Sequence, residues 1–188
     1  MKVTETALQG VYLVEPQVFG DHRGWFMESY SKLKLEQYGI DCDFVQDNHS
    51  FSAQQGTLRG LHFQKNPHAQ AKLVRCVRGE ILDVAVDIRQ GSPQYLKWVA
   101  VKLSAANKKQ LFIPQGFAHG FLTLCDDVEV QYKADQYYAP EDDGGIAYDD
   151  PDIGVEWGEG EVILSEKDRR APRAKDCAAN FVYGGSGK

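Results

Sequence analysis

The sequence predicts an all-β fold, a jelly roll with a few short helices. Three observations lead there. Short runs of alternating apolar and polar residues recur along the chain, with Gly, Pro and Asp clusters between them. Helical spacing is scarce, most convincing in one short stretch. The runs return repeatedly with one side polar, as strands do when they wall a cavity rather than only a core.

Residues 11–14 form the first strand-like run, closed by Glu15-Pro16. Residues 19–24 are a turn-rich loop, and 25–30 alternate again. Residues 31–38 read as a helix ended by Gly39, where a C-cap favours glycine. Residues 44–50 are strand-like, with Gln46 and Asn48 on one face. From 81 to 88, Leu82, Val84, Val86 and Ile88 share one side, and Asp83 and Asp87 lie opposite. Residues 98–103 and 110–113 continue the pattern around a turn at 104–109. Residues 114–120 break it, and 121–124 and 128–133 resume, with Val128, Val130 and Tyr132 on one face, so Tyr132 is expected to point inward. Residues 141–161 hold nine acidic residues and no basic one, a solvated loop region that Ile153 and Trp157 would tack to the body. No internal repeat is visible. The expected organisation is a single domain over residues 1–183 and a flexible tail over 184–188.

The chain has 188 residues, 43% of them hydrophobic, enough for one good core. Its net charge of −6 argues against a nucleic-acid partner, which needs a basic face. No run of eighteen apolar residues suggests a membrane span, and the N-terminus lacks the apolar core of a secretion signal. Cys42, Cys76, Cys125 and Cys177 are widely spaced and are read as reduced thiols of a cytoplasmic protein.

The charge is not evenly spread. Between Thr57 and Gly79 there is no acidic residue, yet Arg59, Lys65, Lys72, Arg75 and Arg78 fall there. Local positive charge in an acidic chain suggests an anion site. Within it, Leu61 and Phe63 point one way and His62 and Gln64 the other, while Lys72, Val74 and Cys76 share a face. His62 and Lys72 could thus face one cavity. Taken singly, each candidate has a plainer role: His62 as a hydrogen-bonded strand histidine, Lys72 as a surface charge, Tyr132 as a core aromatic, His119 as a turn residue, Asp168 as a solvated charge. Their joint presence is harder to dismiss. A metal site of the cupin kind needs two histidines at i and i+2, but the strand reads His62-Phe63-Gln64, and an amide is a weak ligand. No metal is expected.

A set of motifs then narrows the reading. Phe19-Gly20-Asp21-x-Arg23-Gly24, Gln46-Asp47-Asn48-His49-Ser50, Leu58-Arg59-Gly60-Leu61-His62-Phe63-Gln64, Lys72-Leu73-Val74-Arg75, Ile113-Pro114-x-Gly116-Phe117-Ala118-His119-Gly120-Phe121, Tyr132-Lys133 and Leu164-Ser165-x-Lys167-Asp168 occur in that order. In this the chain resembles the dTDP-4-dehydrorhamnose 3,5-epimerases, from about Val11 to Pro172. The resemblance implies a cupin-type jelly roll, a homodimer that exchanges an N-terminal strand, a dTDP-4-keto-6-deoxyhexose substrate and no cofactor. It implies His62 as base, Asp168 as the carboxylate that orients it, Tyr132 as acid and Lys72 as the cation near the developing oxyanion. For substrate binding it implies Arg23, Arg59 and Lys167 as cationic contacts, Glu28, Gln46, Asp47, Asn48 and Asp143 as polar contacts, His119 beside the sugar, and Phe19, Phe26 and Tyr138 around the thymine. Asp143 stands where the family has glutamate, and Ala71 where it has glycine. Two other readings remain at this point: an enzyme inverting a single carbon, and a non-catalytic cupin that binds nucleotide sugars.

Overall fold

The computed structural model describes residues 1–184, so the expected tail lies outside the described residues apart from Gly184. The strands are β1 (Lys2–Glu5), β2 (Tyr12–Glu15), β3 (Val18–Asp21), β4 (Gly24–Met27), β5 (Gln46–Ser52), β6 (Leu58–Gln64), β7 (Lys72–Arg78), β8 (Glu80–Asp87), β9 (Trp98–Ser104), β10 (Gln110–Ile113), β11 (Phe117–Thr123), β12 (Val128–Ala134) and β13 (Asp143–Gly145). Two short helices accompany them, α1 (Lys32–Glu36) and α2 (Glu166–Arg169).

Alternation places each strand's side chains on two faces, and the topology decides what each face meets. One sheet has six strands in the order β1-β2-β10-β7-β12-β5, and the other has five, β13-β6-β11-β8-β9. The neighbouring strands pair antiparallel throughout. Between the sheets, Val74, Cys76, Ile81, Ala85, Leu111, Phe117, Phe121 and Val130 form a buried core. Outside the five-stranded sheet, Leu61, Phe63, Val84, Val86 and Ile146 pack with Trp157 and Phe181 of the later chain. Outside the six-stranded sheet, Leu73, Val14 and Phe112 take up Leu35 of α1 and Ile40 beyond it. This is the predicted jelly roll, with a further apolar layer on each outer face.

The elements differ from expectation mainly at their ends. The helix is shorter than residues 31–38, and Gly39 has the positive φ of +79° that suits a helix terminus. The strand expected over 25–30 stops at Met27, because it belongs to a separate two-stranded hairpin, β3–β4. The acidic segment 141–161 is more than a solvated loop. Its start pairs with β6 as β13, Ile146 is buried, and the Asp150 carboxylate is buried while accepting from the Ala174 and Asp152 backbone N–H groups. Ile153 and Trp157 do anchor it, as their apolar surface requires. All four cysteines are free thiols. Among the described residues, no helix is long and apolar enough to cross a membrane.

Candidate active site

Between the two sheets, at the end not filled by the core, a cavity of about 440 Å³ is lined by Arg59, His62, Lys72, His119, Phe121, Tyr132, Lys167 and Asp168, among others. Local strand geometry explains how they meet. Arg59 and His62 are three apart, so a regular strand would turn them to opposite faces. Across β6 and β11, however, His62 pairs with His119 and Arg59 with Phe121, so three steps on one strand match two on the other. That bulge puts both side chains on the inner face. Gly60 makes it possible. Its φ is +131°, and a Cβ there would stand 2.5 Å from the Gly120 Cα, a conformation and an approach that only glycine accepts.

His62 Nε2 lies 2.5 Å from Asp168 Oδ1. Asp168 sits at α2, where its backbone N–H donates to Ser165 Oγ at the helix N-cap. Burial pushes the Asp168 carboxyl up, but the bond and charge of His62, the Ser165 contact and the Lys167 charge outweigh it. Its pKa is held below the ordinary carboxylate value. An ionised Asp168 accepts a hydrogen bond and cannot donate one, so Nε2 carries the proton. Nδ1 then keeps the lone pair that a base needs.

Tyr132 comes from the opposite sheet. Its β12 position pairs with Val74 and with Asn48, which places the phenol on the inner face as alternation predicted. Burial raises its pKa; Arg59 opposes that and Asp143 adds to it, so the phenol keeps its proton at neutral pH. Lys72 stands beside it on β7, its Nζ 5.6 Å from the Tyr132 ring centroid. Burial lowers the Lys72 pKa from 10.5 to about 8, against the pull of Asp143 and Asp83 and together with the repulsion of Lys167. At pH 7 the ammonium form still leads by about tenfold. The cavity thus sets an imidazole with a free ring nitrogen on one sheet against a proton-bearing phenol and a cation on the other.

A profile of the dTDP-4-dehydrorhamnose 3,5-epimerases matches residues 5–176. The chain belongs to the dTDP-4-dehydrorhamnose 3,5-epimerase family. It is 52% identical over 178 residues to the dTDP-4-dehydrorhamnose 3,5-epimerase of Shigella flexneri, covering 94% of this chain and 98% of that one. Its fold matches the crystal structure of the Bacillus anthracis enzyme with TDP and pyrophosphate bound, with a TM-score of 0.89 and 49% identity, over 92% and 98% of the two chains. It equally matches a Legionella pneumophila dTDP-6-deoxy-D-glucose-3,5-epimerase in complex with dTDP-4-keto-L-rhamnose, with a TM-score of 0.89 and 44% identity, over 93% of each chain.

The binding residues expected of an epimerase of this family fall into three groups. Arg59, His119 and Lys167 line the cavity. Arg59 donates to Ser52 Oγ and to the Phe51 carbonyl, which fixes its guanidinium at the wall. At the rim, Gln46 Nε2 donates to Asn48 Oδ1 and Gln46 Oε1 accepts from the Tyr138 backbone N–H. There Asp143 takes the Lys167 ammonium and the Tyr138 hydroxyl. The third group lies apart. Asp47 follows strand alternation to the outer face, where it pairs with Lys133 at 2.9 Å. Glu28 pairs with Lys34. Phe19, Arg23 and Phe26 sit on the β3–β4 hairpin, away from the cavity of their own chain, with Arg23 held by Asp21.

Two further polar residues, Gln64 and Asp83, are buried beside the site. Gln64, on the face of the strand pattern shared with His62, is buried and pins nearby loops by donating to the His68 and Tyr137 carbonyls and accepting from Ala139 N–H. Asp83 was noted only for lying opposite an apolar face, yet it is fully buried with Oδ1 at 2.8 Å from His119 Nε2. The available signal was an acidic residue between the apolar Leu82 and Val84 in mid-strand.

Proposed function

We propose that this chain, as one domain over residues 1–183, epimerises dTDP-4-dehydro-6-deoxy-D-glucose at C3 and C5 to dTDP-4-dehydro-L-rhamnose, a cytoplasmic step of dTDP-L-rhamnose biosynthesis. The observation that carries the reading is the facing of His62 and Tyr132 from opposite sheets, with Lys72 beside the phenol. The C4 ketone makes the hydrogens on both neighbouring carbons acidic. His62 Nδ1 removes one, the electron pair delocalises into an enolate, and the Lys72 ammonium stabilises the oxygen that gains charge. Tyr132 then returns a proton to the same carbon from the other face, and the ketone re-forms inverted. Imidazolium and phenolate exchange protons with water before the second carbon reacts. Electrons balance without any redox change, so the chemistry calls for no redox cofactor, and the Lys72 ammonium supplies the charge at the oxygen. Asp168 supports the imidazolium between the two transfers.

The remaining residues hold the nucleotide in this reading, with Arg59 and Lys167 at the diphosphate. Phe19 and Phe26 are 60% and 69% exposed on a hairpin that belongs to neither large sheet. This supports a homodimer in which Phe19, Arg23 and Phe26 of one copy serve the other's cavity. Mixing His62→Ala with Arg23→Ala copies, each impaired alone, tests it. Subunit exchange should restore up to about a quarter of the wild-type rate, since half the dimers then carry one intact site of two. No recovery would place the hairpin elsewhere.

The activity itself is read by incubating the protein with the dTDP-4-keto sugar in deuterated water. Deuterium should enter at both C3 and C5 of the product. Label confined to one carbon would make the chain a single-carbon epimerase, and no label would make it a binding protein.

A further inference from the structure

Asp83 is fully buried in the middle of β8, and its two carboxylate oxygens fare differently. Oδ1 meets His119 Nε2 at 2.8 Å, whereas Oδ2 has no hydrogen-bond partner among the described residues. A buried carboxylate oxygen without a donor is costly and rare, so its persistence calls for a counter-charge nearby. Strand register shows which way it faces. Asp83 pairs with Phe121 and Ala85 with His119, which puts Asp83 on the inner face with two residues that line the cavity. Lys72 reaches into that cavity from the facing sheet and, among the described residues, forms no ion pair of its own.

The groups that face Lys72 can be taken strand by strand. Tyr132 comes from β12, Arg59 and His62 from β6, His119 from β11, Asp83 from β8, Asp143 from β13, and Lys167 and Asp168 from α2. Three of these are acids. Asp168 is committed to His62, and Asp143 to Lys167 and Tyr138. Among the described residues only Asp83 has a buried oxygen without a partner, and its charge joins that of Asp143 in favouring the protonated form of Lys72. We propose that Asp83 is a positioning residue for the epimerisation: one oxygen fixes the ring of His119 beside the sugar, and the other keeps the Lys72 ammonium charged next to the C4 ketone. The role rests on the activity assigned above.

The test compares wild type, Asp83→Asn, Lys72→Met and the double variant, by kcat and KM across pH in the C3 and C5 exchange assay. Asparagine can still accept from His119 but has no charge. Its kcat should fall about 100-fold with KM changed less than about threefold. The alkaline limb of kcat/KM should move about one pH unit lower, because Lys72 then loses its proton sooner. In the Lys72→Met background the same substitution should cost less than about threefold. An unshifted limb, or an undiminished penalty in the Lys72→Met background, would overturn the proposal. If Asp83→Asn alone does not fold, Lys72→Met should restore folding by removing the charge left unpaired, and a double variant that stays unfolded overturns it equally. Wild type that exchanges no deuterium sinks the assigned activity and this role with it. Wild type that exchanges while the variants behave alike sinks only the role of Asp83.

Discussion

His62→Ala should lower kcat by about 10³-fold or more while dTDP affinity stays within a few-fold of wild type. The reason is the division of labour in the cavity. His62 forms no hydrogen bond to Arg59 or Lys167, the groups placed at the diphosphate, so removing the imidazole removes the proton transfer and leaves the nucleotide contacts. The variant also strands Asp168, which is almost wholly buried and depends on His62 for its principal hydrogen bond. Some of the measured loss could therefore reflect displacement of α2. His62→Asn is the control: its amide can still donate to Asp168 but cannot accept a proton from carbon. If both variants lose turnover equally and melt near wild type, the loss belongs to the base. If His62→Asn retains most of the activity, the proton acceptor is another residue and the assignment fails.

Tyr132→Phe separates deprotonation from inversion. With the base intact, the enolate should still form and pick up solvent deuterium, but from the face of His62, which regenerates the starting configuration. Exchange into unreacted substrate should thus continue while inverted product falls by about 10²- to 10³-fold. The substitution removes one hydroxyl from a half-buried ring, so little stability is at stake. Inversion at the wild-type rate in this variant would place the acid elsewhere, and loss of exchange together with inversion would mean that the phenol acts before the enolate forms.

Much of this was legible from residue order. The all-β class followed from alternation and turn chemistry, and the inward face of Tyr132 from the parity of Val128, Val130 and Tyr132. The ordered motifs selected His62, Lys72, Tyr132 and Asp168 before any geometry was known, and the cavity holds all four. Parity alone would turn Arg59 away from His62, because a two-residue period assumes an unbroken strand, and the bulge at Gly60 lies in the pairing of β6 with β11. Gln64 and Asp83 show the same limit from two sides. Each is a buried polar residue on a strand, but one hydrogen-bonds the backbone of a loop and the other pairs with His119 of the cavity wall, and only their neighbours in space distinguish them.

The sequence by itself determined the strand pattern, the inward parity of most site residues and the family, since these depend on local alternation and on motifs read along the chain. The tertiary structure alone decided that His62 and Tyr132 face each other from opposite sheets, that Asp168 reaches His62 across more than a hundred residues, and that Asp83 is buried with one oxygen unpartnered. Those relations depend on how two sheets close over one another, and strand order and register across a sheet are not written in the spacing of residues along any single strand.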